Sequence, residues 1–61
     1  MRFQVEVYWL MTDAAIALFE FEKDARLFLE KCFYEDARFK DAFSIYVVDI
    51  LNDNVVYKLE R

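Results

Sequence analysis

Carboxylates are the side chains of this sequence best equipped for chemistry: twelve Asp and Glu stand against one cysteine and no histidine in 61 residues. Two carboxylates can share general acid and base work when burial drives their pKa values apart, and Glu6 and Glu20 are the pair a hairpin would set opposite each other. A sheet surface carries solvated glutamates for no catalytic reason, and the loops of so short a chain cannot wall a substrate cleft. The sequence therefore predicts no catalytic residue and no enzyme. Asp13, Glu20, Glu22 and Asp24 support a second reading: clustered near one end of a sheet and helix, they would array negative charge as phosphates do. That is the basis of an acidic nucleic-acid mimic blocking a DNA- or RNA-binding enzyme. Lys23 and Arg26 interrupt the run, and a net charge of −4 is mild for such a role.

Other chemistries are excluded by what is missing. Without glycine, neither the phosphate-cradling loop nor the dinucleotide fingerprint can be built, because both bring backbone against phosphate where a Cβ would clash. Without histidine and with Cys32 alone, the usual zinc ligand sets and the Ser-His and Cys-His nucleophile pairs are gone. No metal and no cofactor are expected. The acidic balance supplies no basic patch for direct nucleic-acid binding or for an anionic membrane. A lone cysteine forms no internal disulfide, charges interrupt every long apolar run, and the N-terminal stretch lacks the apolar segment of a signal peptide. These features predict a cytoplasmic protein.

What remains must fold as one domain over residues 1–61. Its 59% apolar content argues against disorder. A chain this short buries only about 60% of its unfolded surface, so stability is expected to be marginal. Residues 2–11 alternate, with Phe3, Val5, Val7, Trp9 and Met11 on one face. Thr12 and Asp13 break the pattern, and residues 15–21 read as a second strand. From Glu22 the period changes: Ala25, Phe28, Leu29, Cys32 and Phe33 form one helical stripe, flanked by the pairs Glu22–Arg26 and Lys31–Glu35. The stop falls somewhere between Asp36 and Asp41. Residues 43–51 and 55–59 are two more strands around Asn52, Asp53 and Asn54, residues that tolerate a left-handed turn. The class is α+β, ββαββ, a four-stranded, mostly antiparallel sheet with one helix packed on one face. A rival pattern, Leu18, Phe21, Ala25, Phe28, Cys32 and Phe39, allows one long helix over 13–39.

Register assigns the faces. A two-residue turn at Asn52-Asp53 or Asp53-Asn54 sends Tyr46, Val48 and Ile50 to the core with Tyr57 and Leu59, and keeps Asp49 outside. Burying Asp49 would cost several kcal/mol unless it were paired. In the first hairpin a three-residue turn places Phe19 and Phe21 beside Val7 and Val5 and keeps Glu20 outward. Left on the face away from the helix are Tyr8, Leu10, Ile16, Leu18, Phe43, Ile45 and Val47, an apolar patch on the order of 500 Å², as large as soluble monomers tolerate. The patch needs strand order 2-1-3-4. The alternative, 2-1-4-3, makes the central pair parallel, resembles small immunoglobulin-binding bacterial domains in topology alone, and splits the patch between two edges.

These seven residues carry the functional expectation: a small non-enzymatic protein-binding module whose outer sheet face pairs with itself as a homodimer or docks another protein. One form is an inhibitor of a host protein of the kind phages and mobile elements encode. Tyr8 is the expected anchor, since tyrosine is enriched at binding hot spots. Cys32, on the buried stripe, reads as a small hydrophobe. Leu27 and Tyr34 lie off the stripe, as a secondary contact or plain surface.

Overall fold

Alternation makes β1 of Phe3–Tyr8, and the polar break after it leads into β2, Asp13–Phe19, in a computed structural model that describes residues 1–61. The chain then forms the helix α1, Glu22–Glu35, and the strands β3, Ser44–Asp49, and β4, Asn54–Glu60. The fold is α+β with the sheet order β2-β1-β3-β4, every neighbour antiparallel. Strand followed by helix replaces the single long helix over 13–39. Ala14, Ala15 and Ala17 favour a helix locally, but pairing with β1 lets β2 cover one side of the core.

The helix begins where predicted. Phe21 stands at its N-cap without a capping side chain, and Glu22 and Asp24 in the first turn meet the positive end of the helix dipole. Glu22 also accepts from the Arg26 guanidinium at 2.8 Å, the expected spacing-four pair. The C-terminal end has no basic residue of its own and no glycine to turn it. Instead the chain turns extended at Asp36, whose carboxylate accepts from the Arg38 N–H at 2.9 Å and opens a 3-10 turn over Ala37–Phe39. The carbonyls of Phe33, Phe39 and Ala42 accept from Arg61, whose guanidinium lies 4.4 Å from the centre of the Phe33 ring. An arginine following the last strand thus does the work of a helix C-cap.

The core lies between α1 and the sheet. Val5, Val7, Leu29, Ile45 and Val47 are its largest fully buried side chains, each contributing roughly 1.5–3 kcal/mol of burial. The predicted helical stripe is the buried one: Ala25, Leu29, Cys32 and Phe33 face inward, with Phe28 half-buried against the Phe19 ring at 5.3 Å.

In β3 the predicted faces are reversed. Ile45 and Val47 are inside, Tyr46 and Val48 are on the outer face, and Ile50 is exposed. The reason is a bulge. Near the loop, Asp49 pairs Asn54 and Val48 pairs Val55, odd with even as expected. Val56 is then skipped, and from Val47↔Tyr57 onward odd meets odd. Tyr57 and Leu59 keep their inward places and β3 turns over. Asp49 is consequently only 4% exposed. It is tolerated there because it is paired: Arg2 donates Nε and Nη2 to its two oxygens at 3.0 and 2.9 Å, and the N–H groups of Leu51 and Asn52 and the Asn52 amide donate to it as well. Those contacts shape the loop, where Asp53 takes the left-handed conformation at φ 54°.

β2 carries a bulge of its own. Phe3↔Phe19, Gln4↔Leu18 and Val5↔Ala17 pair before Ile16 is skipped, and Glu6↔Ala15, Val7↔Ala14 and Tyr8↔Asp13 follow. Phe19 therefore faces Phe3 and not Val7, and Phe21 leaves the sheet for the helix N-terminus, exposed. Trp9 to Thr12 form the connecting loop, closed by a Trp9 N–H to Thr12 carbonyl bond of 3.0 Å.

Candidate functional site

The outer face of the sheet is built by the strand register, row upon row. One row runs Leu18, Gln4, Val48, Val55; the next Ala15, Glu6, Tyr46, Lys58; the third Asp13, Tyr8, Ser44, Glu60. An apolar row thus lies beside a polar one. Gln4 donates to Glu6 Oε2 at 3.0 Å, and the Tyr46 hydroxyl donates to Glu6 Oε1 at 3.3 Å. Lys58 reaches Glu60 at 3.7 Å. Tyr8, Asp13, Ser44, Tyr46, Val55 and Lys58 border a shallow depression of about 300 Å³. Burial and then the adjacent carboxylates, Glu6 foremost, push the Tyr46 phenol above its ordinary pKa, so the hydroxyl stays a donor in a field of negative sign.

The seven residues singled out from the sequence divide. Tyr8 and Leu18 lie on the outer face, and the exposed Phe43 ring stands 5.9 Å from Tyr8. Leu10, exposed, sits in the loop after β1, where its carbonyl accepts from the Tyr8 hydroxyl at 3.5 Å. Ile16 is the bulged residue and packs against the core. Ile45 and Val47 are wholly buried and belong to the core, a correction that follows from the bulge at Val56. In their place the outer face receives Tyr46, Val48 and Val55. Alternation sets Tyr46 with Val48, whereas the skipped Val56 parts Val55 from Tyr57 and Leu59, which stay inward.

The patch is accordingly mixed. Three carboxylates, Glu6, Asp13 and Glu60, share the face with the single ammonium of Lys58. The carboxylate pair considered for catalysis does not form: Glu6 faces Ala15, while Glu20 lies past the Phe3↔Phe19 pair. Asp13 and Glu20 are at opposite ends of β2, about 20 Å apart at strand rise. No group of three or more Cys, Asp or Glu side chains is placed to hold a metal ion.

Of three further hollows elsewhere, two are larger. Met1, Arg2, Glu20, Ile50 and Leu51 line an open cleft of about 590 Å³ at the end of the sheet near Asp49. Another, of about 410 Å³, lies beside Cys32, whose buried thiol is pushed above its usual pKa first by burial and then by Asp36, the setting of an unreactive cysteine. Leu27 and Tyr34 are exposed on the far side of α1, the Tyr34 ring edge-on to Phe33 at 5.1 Å. No helix is long and apolar enough to cross a membrane. Comparison with protein-family models, curated proteins and solved structures finds no match to this chain.

Proposed function

We propose that the protein is a non-enzymatic binding module that docks another protein on the outer face of its sheet, and that the partner presents a basic surface. One observation carries this: Tyr8, Phe43 and Tyr46 are displayed beside the exposed Leu18 and Val55 on a sheet face that no element of the chain covers, within a frame of three carboxylates to one ammonium. Aromatic rings in a partly apolar, partly charged frame are the composition of an interface core and its rim. Stacking two copies of this face would oppose like charges, which favours a foreign basic partner over a face-to-face homodimer. A module of this size acts by occupying its partner's surface, so inhibition of that partner is the natural consequence. A reducing cytoplasm suits its buried, unpaired thiol.

The test is capture on immobilised wild-type protein, identification of what is retained, and titration with the purified candidate. Leu18→Glu and Tyr46→Ala, both on the outer face, should weaken binding at least tenfold while Leu27→Glu on the helix leaves it unchanged, and added salt should weaken it further. A candidate whose affinity follows Leu27 and ignores Leu18 and Tyr46 overturns the reading.

A further inference from the structure

Beyond the outer face, the two edges of the sheet are unpaired strands, and they are unequally protected. β4 carries Lys58 and Glu60. β2 has no charged side chain from Ala14 to Phe19, no proline and no glycine, the composition of a strand open to pairing with a further strand. Its only device is the bulge at Ile16, and the bulge fits it to a partner of one kind.

We infer that β2 pairs antiparallel with β2 of a second copy, about a two-fold axis between Ile16 and Ala17. Outer-face residues of β2 are Asp13, Ala15 and Leu18; helix-face residues are Ala14, Ala17 and Phe19. In an unbulged strand, a two-fold axis between adjacent residues would set outer-face residues against helix-face ones. The skipped residue removes that conflict. Ala15 meets Leu18 of the other copy on the outer face, Ala14 meets Phe19 on the helix face, and Ile16 meets Ala17. Each large side chain stands opposite an alanine, so the strands approach without overpacking. Using both β2 edges closes the assembly: the edges left exposed belong to β4, whose charges discourage head-to-tail growth into a filament. The result is a continuous eight-stranded sheet that leaves both outer faces open to the proposed partner.

The same register has one mismatch, and it makes the inference testable. Asp13 falls opposite Glu20 of the other copy at both ends of the paired strands, like charge against like. Sedimentation across a concentration series should find a reversible dimer in the wild type. Glu20→Lys should turn two repulsions into two attractions and lower the dissociation constant at least fivefold or so at low salt, with the gain shrinking as salt is added. Ala15→Lys, at an exposed position beside Glu6, should leave the circular dichroism spectrum unchanged and give a monomer. A wild type that stays monomeric to about millimolar concentration overturns the inference. So does a dimer indifferent to Ala15→Lys, or one that Glu20→Lys loosens.

Discussion

The two hairpins are built to the same plan and held by different forces. Each joins a central strand to a bulged edge strand through a short loop, with Ile16 skipped in β2 and Val56 in β4. The β3–β4 hairpin is tied down by polar side chains. Asp49 gathers Arg2 and its own loop, Arg61 ties the chain beyond β4 to the end of α1, and the Tyr57 hydroxyl donates to Glu30 at 2.9 Å beneath the Arg26 guanidinium. Polar side chains of β1 bond within that strand, to the loop and to β3, but what ties β1 to β2 is backbone bonds, with apolar contacts such as Phe19 on Phe28 holding the hairpin to the helix. A small chain can specify one hairpin by buried charge and leave the other adaptable, and the adaptable one carries the open edge.

Removing the central carboxylate should break this contrast most severely. Asp49→Ala leaves Arg2 and the loop N–H groups without their acceptor, and should lower the thermal midpoint by about 10 °C or more in a melt followed by circular dichroism. Arg61→Ala frees the Phe33 carbonyl in the last turn of α1 and those of Phe39 and Ala42 beyond it, which water can partly serve, and should cost roughly 1–2 kcal/mol in urea unfolding.

Acid should act on the same hairpin. The Arg2 guanidinium, aided by Asn52, holds the Asp49 carboxyl down to about 2 against burial that opposes it, and Arg38 lowers Asp36 in the same direction. A carboxyl with a lowered folded-state pKa contributes stability above its unfolded value, near 4, and loses it as pH falls through the folded value. Wild-type stability should therefore decline between about pH 4 and pH 2, and the decline should be shallower in Asp49→Asn. Least affected should be Tyr34→Ala, whose exposed ring should change unfolding stability by no more than about 0.5 kcal/mol.

How far the sequence could be read follows from the same contrast. The period change at Glu22 and the stripe Ala25, Leu29, Cys32 and Phe33 were legible because a helix face depends on spacing alone. The β1 alternation was legible because its central strand has no bulge of its own. In β3 the alternation marks two sets of residues, and choosing between them requires the register with β4. One skipped residue, Val56, reverses that choice, and no residue type announces it in a chain without glycine. The burial of Asp49 is hidden from the sequence for a related reason. Burying it is unfavourable alone, and its partner Arg2 lies 47 positions away in the sequence. Of the expected outer surface, Tyr8 and Leu18 lie on that face, while Ile45 and Val47 exchange places with Tyr46 and Val48.

The outer face of β3 decides which residues a partner can meet, and a pair of neighbouring substitutions tests it most directly. Val47→Lys and Val48→Lys, compared by circular dichroism and thermal melting, place the same charge one residue apart. Val48→Lys should fold with nearly wild-type stability, its ammonium in solvent beside Val55, and Val47→Lys should fail to fold, its charge driven among Val5, Leu29 and Ile45. A folded Val47→Lys beside an unfolded Val48→Lys would contradict this, since Tyr46 would then be inside and the proposed docking face would be the core.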